Sequence, residues 1–300
     1  MSAASFRNSL LIPALFLAVS LCPVRAQIPY VSTAEDIAVG EAILAELSSA
    51  QQKDPGARMV LAAKRLLGRP YVAGTQEGRE ERLRIYLTKT DCILFAETCL
   101  GLVQTAQRCC CQAPMDSLAE TIRRTRYSAE RTKAQYAPYA TRVHYVTEWI
   151  RQGERAGYFR DITAELGGTP DTRRIDYMSA HPESYDALKG TSQEAKEILR
   201  DIRRMEETVG AIPHCYIPKE RLAAVEGQIR DGDILCFATS IEGLDYTHVG
   251  IAYRQKPGAP LTFIHASSAA GKVIVEKRSL QEYLRSRKSA TGVTVLRVLP

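Results

Sequence analysis

Apolar positions recur with a helical period through the first two thirds of the chain and with a strand period after Pro213. Residues 33–51 place Ile37, Ile43, Leu44 and Leu47 on one face of a helix. Asp54 and Pro55 open a second helix through Leu67, which Gly68 and Pro70 stop. YVAGT (71–75) reads as a loop, and residues 82–87 alternate charged and apolar side chains as a short strand does. An Asp-Cys pair then opens the apolar helical run DCILFAETCLGLV (91–103), and a further helix is expected over 115–126. The middle, around Tyr139, Tyr145 and Trp149, reads as loops and short helices. Residues 192–209 form a clear amphipathic helix, with Ile198, Ile202, Met205 and Val209 on one side.

Beyond Pro213, strands are expected at 215–217, 233–238, 248–254, 261–266, 272–277 and 293–298, with a short helix at 279–285. Helices first and strands last predict an α+β fold. In it, one domain has a helical lobe (about 33–210) packed on a small antiparallel sheet or β-barrel lobe (about 213–300).

The N-terminus changes the picture of where this domain works. Arg7, the apolar stretch 10–21 and the small residues around Ala26 have the layout of a secretory signal peptide over 1–26. The apolar stretch is too short for a spanning helix, and no later segment is long enough, so no membrane span is expected. Leu21, directly before Cys22, is bulkier than lipoprotein processing favours, which argues against a lipid anchor. The expected product is an exported, periplasmic or extracellular monomer, residues 27–300 of the 300. Losing Arg7 and Arg25 takes the formal net charge from +6 to +4, a mild balance that suits an anionic cell envelope. Arg123-Arg124 and Arg203-Arg204 are short pairs without interleaved aromatics, so nucleic-acid binding is not expected.

Of eight cysteines, Cys22 leaves with the signal, and seven remain. An odd count in an exported chain leaves at least one thiol without an internal partner. The Cys109-Cys110-Cys111 run lacks paired C-x-x-C spacing and a nearby histidine, so disulfides or burial fit it better than zinc.

Cys92 carries the candidate chemistry. It lies one residue into its helix, where unpaired N–H groups and the helix dipole favour a thiolate, and Asp91 is a suitable N-cap. The same N–H groups suit an oxyanion hole. Of five histidines, His248 begins a strand after a polar turn, and His265 lies on the next strand. The first is the candidate base and the second the residue that orients it. Spacing alone leaves two other readings open: histidines that only hydrogen-bond backbone, and a zinc site built from Cys92, His248 and His265. The second lacks a local ligand motif such as H-E-x-x-H.

A set of segments in fixed order sharpens this. PYVAGT (70–75), DCILFAE (91–97), Tyr139, Arg142, His144 and Tyr145 come first. Trp149, YMSAH (177–181) and YIPK (216–219) follow, and then GLDYTHVGIA (243–252) and HASS (265–268). Together they resemble the N-acetylmuramoyl-L-alanine amidase-like family, also catalogued as domain of unknown function 1460, within the NlpC-type papain-like cysteine peptidases. The resemblance runs from about residue 70 to 297. It implies Cys92 as nucleophile, His248 as base, His265 as orienting residue, no metal and no cofactor. It also implies a papain-like helical lobe on a β-barrel, and peptidoglycan or muropeptides as the substrate. The bond cut, muramoyl-L-alanine or one within the stem peptide, stays open. Tyr71, Asp91, Arg142 and Asp245 are the candidate substrate-binding residues. Arg142 suits a carboxylate or a buried acid equally well. Asp245 suits a substrate amine or the turn before His248. The rival functions are a zinc-dependent amidase and a cell-wall-binding module that does not turn over.

Overall fold

The computed structural model describes residues 29–50, 54–78, 80–108 and 114–300. The expected signal peptide and the Cys109-Cys110-Cys111 run lie outside the described residues.

Four long helices come first: α1 (Ala34–Ser49), α2 (Pro55–Arg65), α3 (Cys92–Arg108) and α4 (Pro114–Arg126). A capping box starts α1, with Thr33 and Asp36 bonding each other's backbone N–H groups at 3.1 Å. Helix α3 is buried on every side from Leu94 to Ala106, as its unbroken apolar run requires. It packs on α1, α2 and α4 and on the sheet. Gly101 permits the approach of α4, since a Cβ there would sit 2.9 Å from Ile122 and 3.1 Å from Leu118.

The middle holds short elements: α5 (Ala129–Lys133), α6 (Pro138–Thr141), α7 (Val146–Arg155), β1 (Phe159–Asp161), β2 (Thr169–Asp171) and α8 (Tyr177–Ala180). The amphipathic helix α9 (Gln193–Gly210) buries Ile202, Met205 and Val209 against Tyr139, Tyr145 and Met178. Then come β3 (His214–Pro218), α10 (Leu222–Val225), β4 (Ile234–Thr239), β5 (Tyr246–Tyr253), β6 (Thr262–Ser267), β7 (Lys272–Val275), α11 (Leu280–Ser286) and β8 (Ala290–Val298).

All strand pairings between these elements are antiparallel, in the order β2-β3-β8-β4-β5-β6-β7, with β1 also on β8. Alternation along β4 sends Ile234, Cys236 and Ala238 to the helices. It sends Leu235 and Phe237 to a second core with Phe263, Tyr283 and Leu284.

The fold is mixed α/β, and the expected barrel does not close. The reason is at β7. Its outer edge is taken by residues 68–71, where Gly68 donates to Val273 (2.9 Å), Tyr71 to Gly271 (2.9 Å), and Val273 back to Arg69 (2.9 Å). A covered edge has no free N–H or C=O groups left to accept another strand. The expected strand at 82–87 is likewise not a strand. Leu83, Ile85 and Leu87 are buried, but the backbone is held by one bridge, Val31 to Arg84, and by Asp36, which accepts from Leu87 (2.7 Å) and Thr88 (2.8 Å).

Candidate active site

Asp91 caps α3, accepting from the N–H of Leu94 at 2.9 Å, so Cys92 is the first residue of the helix. The backbone N–H groups of Val249, Ile93 and Cys92 act on its sulfur to favour the ionised form. Such donors favour a thiolate. Burial nevertheless dominates, with the Asp91 carboxylate adding to it, and the thiol is pushed up to about 12. The thiolate expected from the helix terminus therefore does not form in isolation, and the sulfur depends on a base.

His248, the candidate base, stands beside a bulge. On β5, the register with β4 shifts between Phe237 and Ala238, which face His248 and Tyr246, so Thr247 is a bulged extra residue. A bulge re-aims the side chain beside it. His248 then lines the same cavity as Cys92, a cleft of about 310 Å³ between α3 and β5. Its Nε2 lies 2.7 Å from Nδ1 of His265 on β6. Gly250 makes room for this pair, because a Cβ there would meet Phe263 at 2.7 Å and the Cβ of His265 at 3.4 Å. Phe237, Phe263 and Tyr283 wall the two imidazoles. Burial lowers His248 to about 3 and His265 to about 4. At neutral pH the resting site is thus thiol plus neutral imidazoles.

One residue at this site escaped the sequence reading. Glu276, just past β7, is buried, and its Oε2 lies 3.7 Å from Nε2 of His265. Arg278 pairs with the same carboxylate at 2.9 Å and keeps it ionised, with its proton affinity lowered to about 2 despite burial. A fixed anion on that side favours the His265 tautomer with hydrogen on Nε2. Nδ1 of His265 then accepts from Nε2–H of His248, which leaves Nδ1 of His248 free for the thiol proton. The clue was hairpin register. The Glu276 N–H donates to Phe263 O at 2.9 Å, so Glu276 stands opposite Phe263 and diagonal to His265.

Glu276→Gln is expected to lower kcat by about tenfold to a hundredfold through loss of tautomer control. It should also move the acid limb of kcat/KM further to acid, because the anion raises both histidines. The sign for the native protein follows from the same values. A lowered imidazole pKa keeps His248 able to accept a proton down through pH 5, below the ordinary imidazole range of about 6.5. A pH–rate profile of both proteins checks this.

The remaining candidates separate. Asp91 and Arg142 line the cleft. Arg142 is already held by Glu77 at 2.7 Å and Glu81 at 3.4 Å, with its guanidinium over Tyr139, so the buried-acid alternative is the one realised. Tyr71 lies close enough to Cys92 for their charges to interact, but it is not part of the cleft wall. Asp245 does not reach the cleft. It is buried and accepts from the N–H groups of Thr147 (2.8 Å) and Tyr246 (2.7 Å), so it ties the start of α7 to β5 and cannot take a substrate amine. His144 is in the cleft wall, with Nε2 2.9 Å from Tyr139 O. His181 stacks on Tyr177 and contacts its carbonyl at 2.9 Å. Cys92, Cys99, Cys215 and Cys236 are free thiols, two of them simply buried.

An antiparallel sheet carrying a histidine pair, faced by a buried helix that starts with a cysteine, defines a mixed α/β protein with a thiol–imidazole cleft. The family model described as N-acetylmuramoyl-L-alanine amidase-like matches residues 61–293, and the chain belongs to that family. Among solved structures, an N-acetylmuramoyl-L-alanine amidase from Bacteroides uniformis is 30% identical with a TM-score of 0.72, over 82% of this chain and 99% of its own. A Bacteroides fragilis protein provisionally named a xylanase is 33% identical with a TM-score of 0.69, over 79% and 99%. A Legionella pneumophila protein of the domain-of-unknown-function-1460 family shares the fold at 19% identity, with a TM-score of 0.61 over 88% and 95%. No curated protein matches the chain.

Proposed function

We propose that this protein is an exported cysteine amidase of papain-like NlpC type that hydrolyses the muramoyl-L-alanine bond of peptidoglycan or its fragments. The observation that carries this reading is the 2.7 Å contact of His248 Nε2 with His265 Nδ1, at a histidine that shares its cleft with Cys92. The family and the name of the Bacteroides uniformis relative support the choice of bond.

The chemistry runs as two acyl transfers. Sγ of Cys92 attacks the amide carbonyl carbon while its proton passes to Nδ1 of His248. The first N–H groups of α3 face the resulting oxyanion. Collapse breaks the C–N bond, and His248 returns its proton to the departing amine, leaving a thioester. Water then gives a proton to His248 and attacks the thioester, which releases the carboxylic acid and restores the thiol. Thiolate and imidazolium form together in this scheme, as one proton moves within the pair rather than to solvent.

A glycosidase would need two free carboxyl groups flanking its cleft. Three acids line this one, and each is engaged: Asp91 by Leu94, Glu97 by Arg126 and Glu77 by Arg142.

Selective inactivation tests the reading. Iodoacetamide should abolish muropeptide hydrolysis with one carbamidomethyl group on Cys92, and EDTA should leave the rate unchanged. Loss with EDTA and survival of iodoacetamide would reverse the assignment to a zinc amidase.

A further inference from the structure

His248 also lines a second cavity, whose wall does not include Cys92. It holds about 220 Å³ and shares Thr247 and His248 with the cleft. Its wall is polar: Ser267, Ser268 and Ser289 supply hydroxyls, and Tyr283 and Arg287 close it. Arg287 follows α11 in an extended conformation, which turns its side chain off the helix axis.

Tyr283 sits between two arginines with different partners. Arg278 lies 4.9 Å from its ring centre and is paired with Glu276 at 2.9 Å. Arg287 lies 5.0 Å from the same ring, and among the described residues no carboxylate stands within ion-pair distance of it. Its charge reaches both imidazoles and disfavours a proton on either. The other groups facing His248 are His265 on β6, Cys92 on α3, Tyr283 on α11, and Glu276 and Arg278 beyond β7. Of these two cations, Arg278 has Glu276 to offset it, and Arg287 has no such anion among the described residues.

We propose that this second cavity is a subsite for a carboxylate on the leaving-amine side of the substrate, with Arg287 as its cation. The proposal rests on the amidase reading above. His248 hands its proton to the departing amine, and Thr247 and His248 line both the cleft and this cavity, so the part of the substrate beyond that amine has the cavity beside it. Stem peptides carry free carboxylates. A guanidinium with neighbouring hydroxyls is a fitting acceptor for one. Occupancy does more than bind. A carboxylate placed on Arg287 cancels the repulsion that Arg287 exerts on His248, and the imidazole becomes a better acceptor for the Cys92 proton. The correct substrate thereby helps to switch on its own base, and Arg287 acts as a binding residue with an effect on kcat.

The test uses two matched substrates, a muramoyl dipeptide with a free α-carboxylate on its second residue and the same compound with that group as a carboxamide. The native protein should prefer the carboxylate by about tenfold to a hundredfold in kcat/KM. Arg287→Gln should remove the preference by lowering only the carboxylate rate, and Arg287→Lys should keep part of it. Arg287 is exposed, so a melting curve should show both variants folded. Equal losses on both substrates, or no preference in the native protein, would overturn the subsite. If Cys92→Ala still cleaves both compounds, the amidase reading fails instead, so the two failures are distinguishable.

Discussion

Cys92→Ala is expected to reduce muropeptide hydrolysis by roughly 10⁴-fold or more, because no other group can form the acyl intermediate. The expectation rests on how singular the sulfur's position is. It is the first residue of α3, backbone N–H groups of Val249 and Ile93 favour its ionised form, and it shares a cleft with His248. No other described cysteine lines that cleft. The melting temperature should stay within a few degrees, since alanine is the best helix former and removes only one half-buried atom. Cys92→Ser should be nearly as inactive. A hydroxyl is far harder to ionise than a thiol, and the resting imidazole already lies well below its ordinary range. A first-order rate for each variant, set against the native protein on one purified muropeptide, measures the loss.

Glu97→Ala is the second large expectation, and it acts on stability. Glu97 and Arg126 form an ion pair with side chains only 4% and 5% exposed. The pair joins α3 to α4, and Thr125 donates to the same carboxylate at 3.1 Å. The Arg126 guanidinium also donates to the Gln76 side-chain oxygen at 2.9 Å, which fixes the loop beside the cleft. Removing the acid leaves a buried cation without an anion, at a cost of about 3–5 kcal/mol. The expected fall in melting temperature is roughly 6–15 °C for a chain of this size. Removing the charge as well, in Glu97→Ala with Arg126→Met, should recover part of the loss, because an apolar replacement carries no unpaired charge. Denaturant unfolding of the three proteins separates these outcomes.

The helix start at Cys92 and the strands of His248 and His265 were legible because each sits on a strong local signal. Asp91 before an unbroken apolar run marks a helix start, and the alternation around both histidines marks strands. Their convergence was less legible from periodicity and came from the ordered segments of the family. The outer ring of the site was not legible, for a common reason. Glu276 meets His265 only through the register of β6 and β7, and Arg287 reaches its cavity only from the end of α11. Neither register nor exit direction is written in residue type. Arg142 and Asp245 show the converse. Both looked suited to a ligand, and the fold gives both to internal partners, Glu77 and Glu81 for one and backbone amides for the other. The barrel failed at one edge, because the loop 68–71 covers β7 before any strand can. A turn-rich segment such as LGRPYV carries no sign that it will pair with a strand two hundred residues away.

Mass analysis of products tests the account most directly. Purified muropeptides are incubated with the native protein and with Cys92→Ala, and the masses released are compared. The account predicts a free stem peptide with L-alanine at its amino end, together with the muramic acid carboxylate, from the native protein alone. The same products from Cys92→Ala, or a native cut at any other bond, would contradict it.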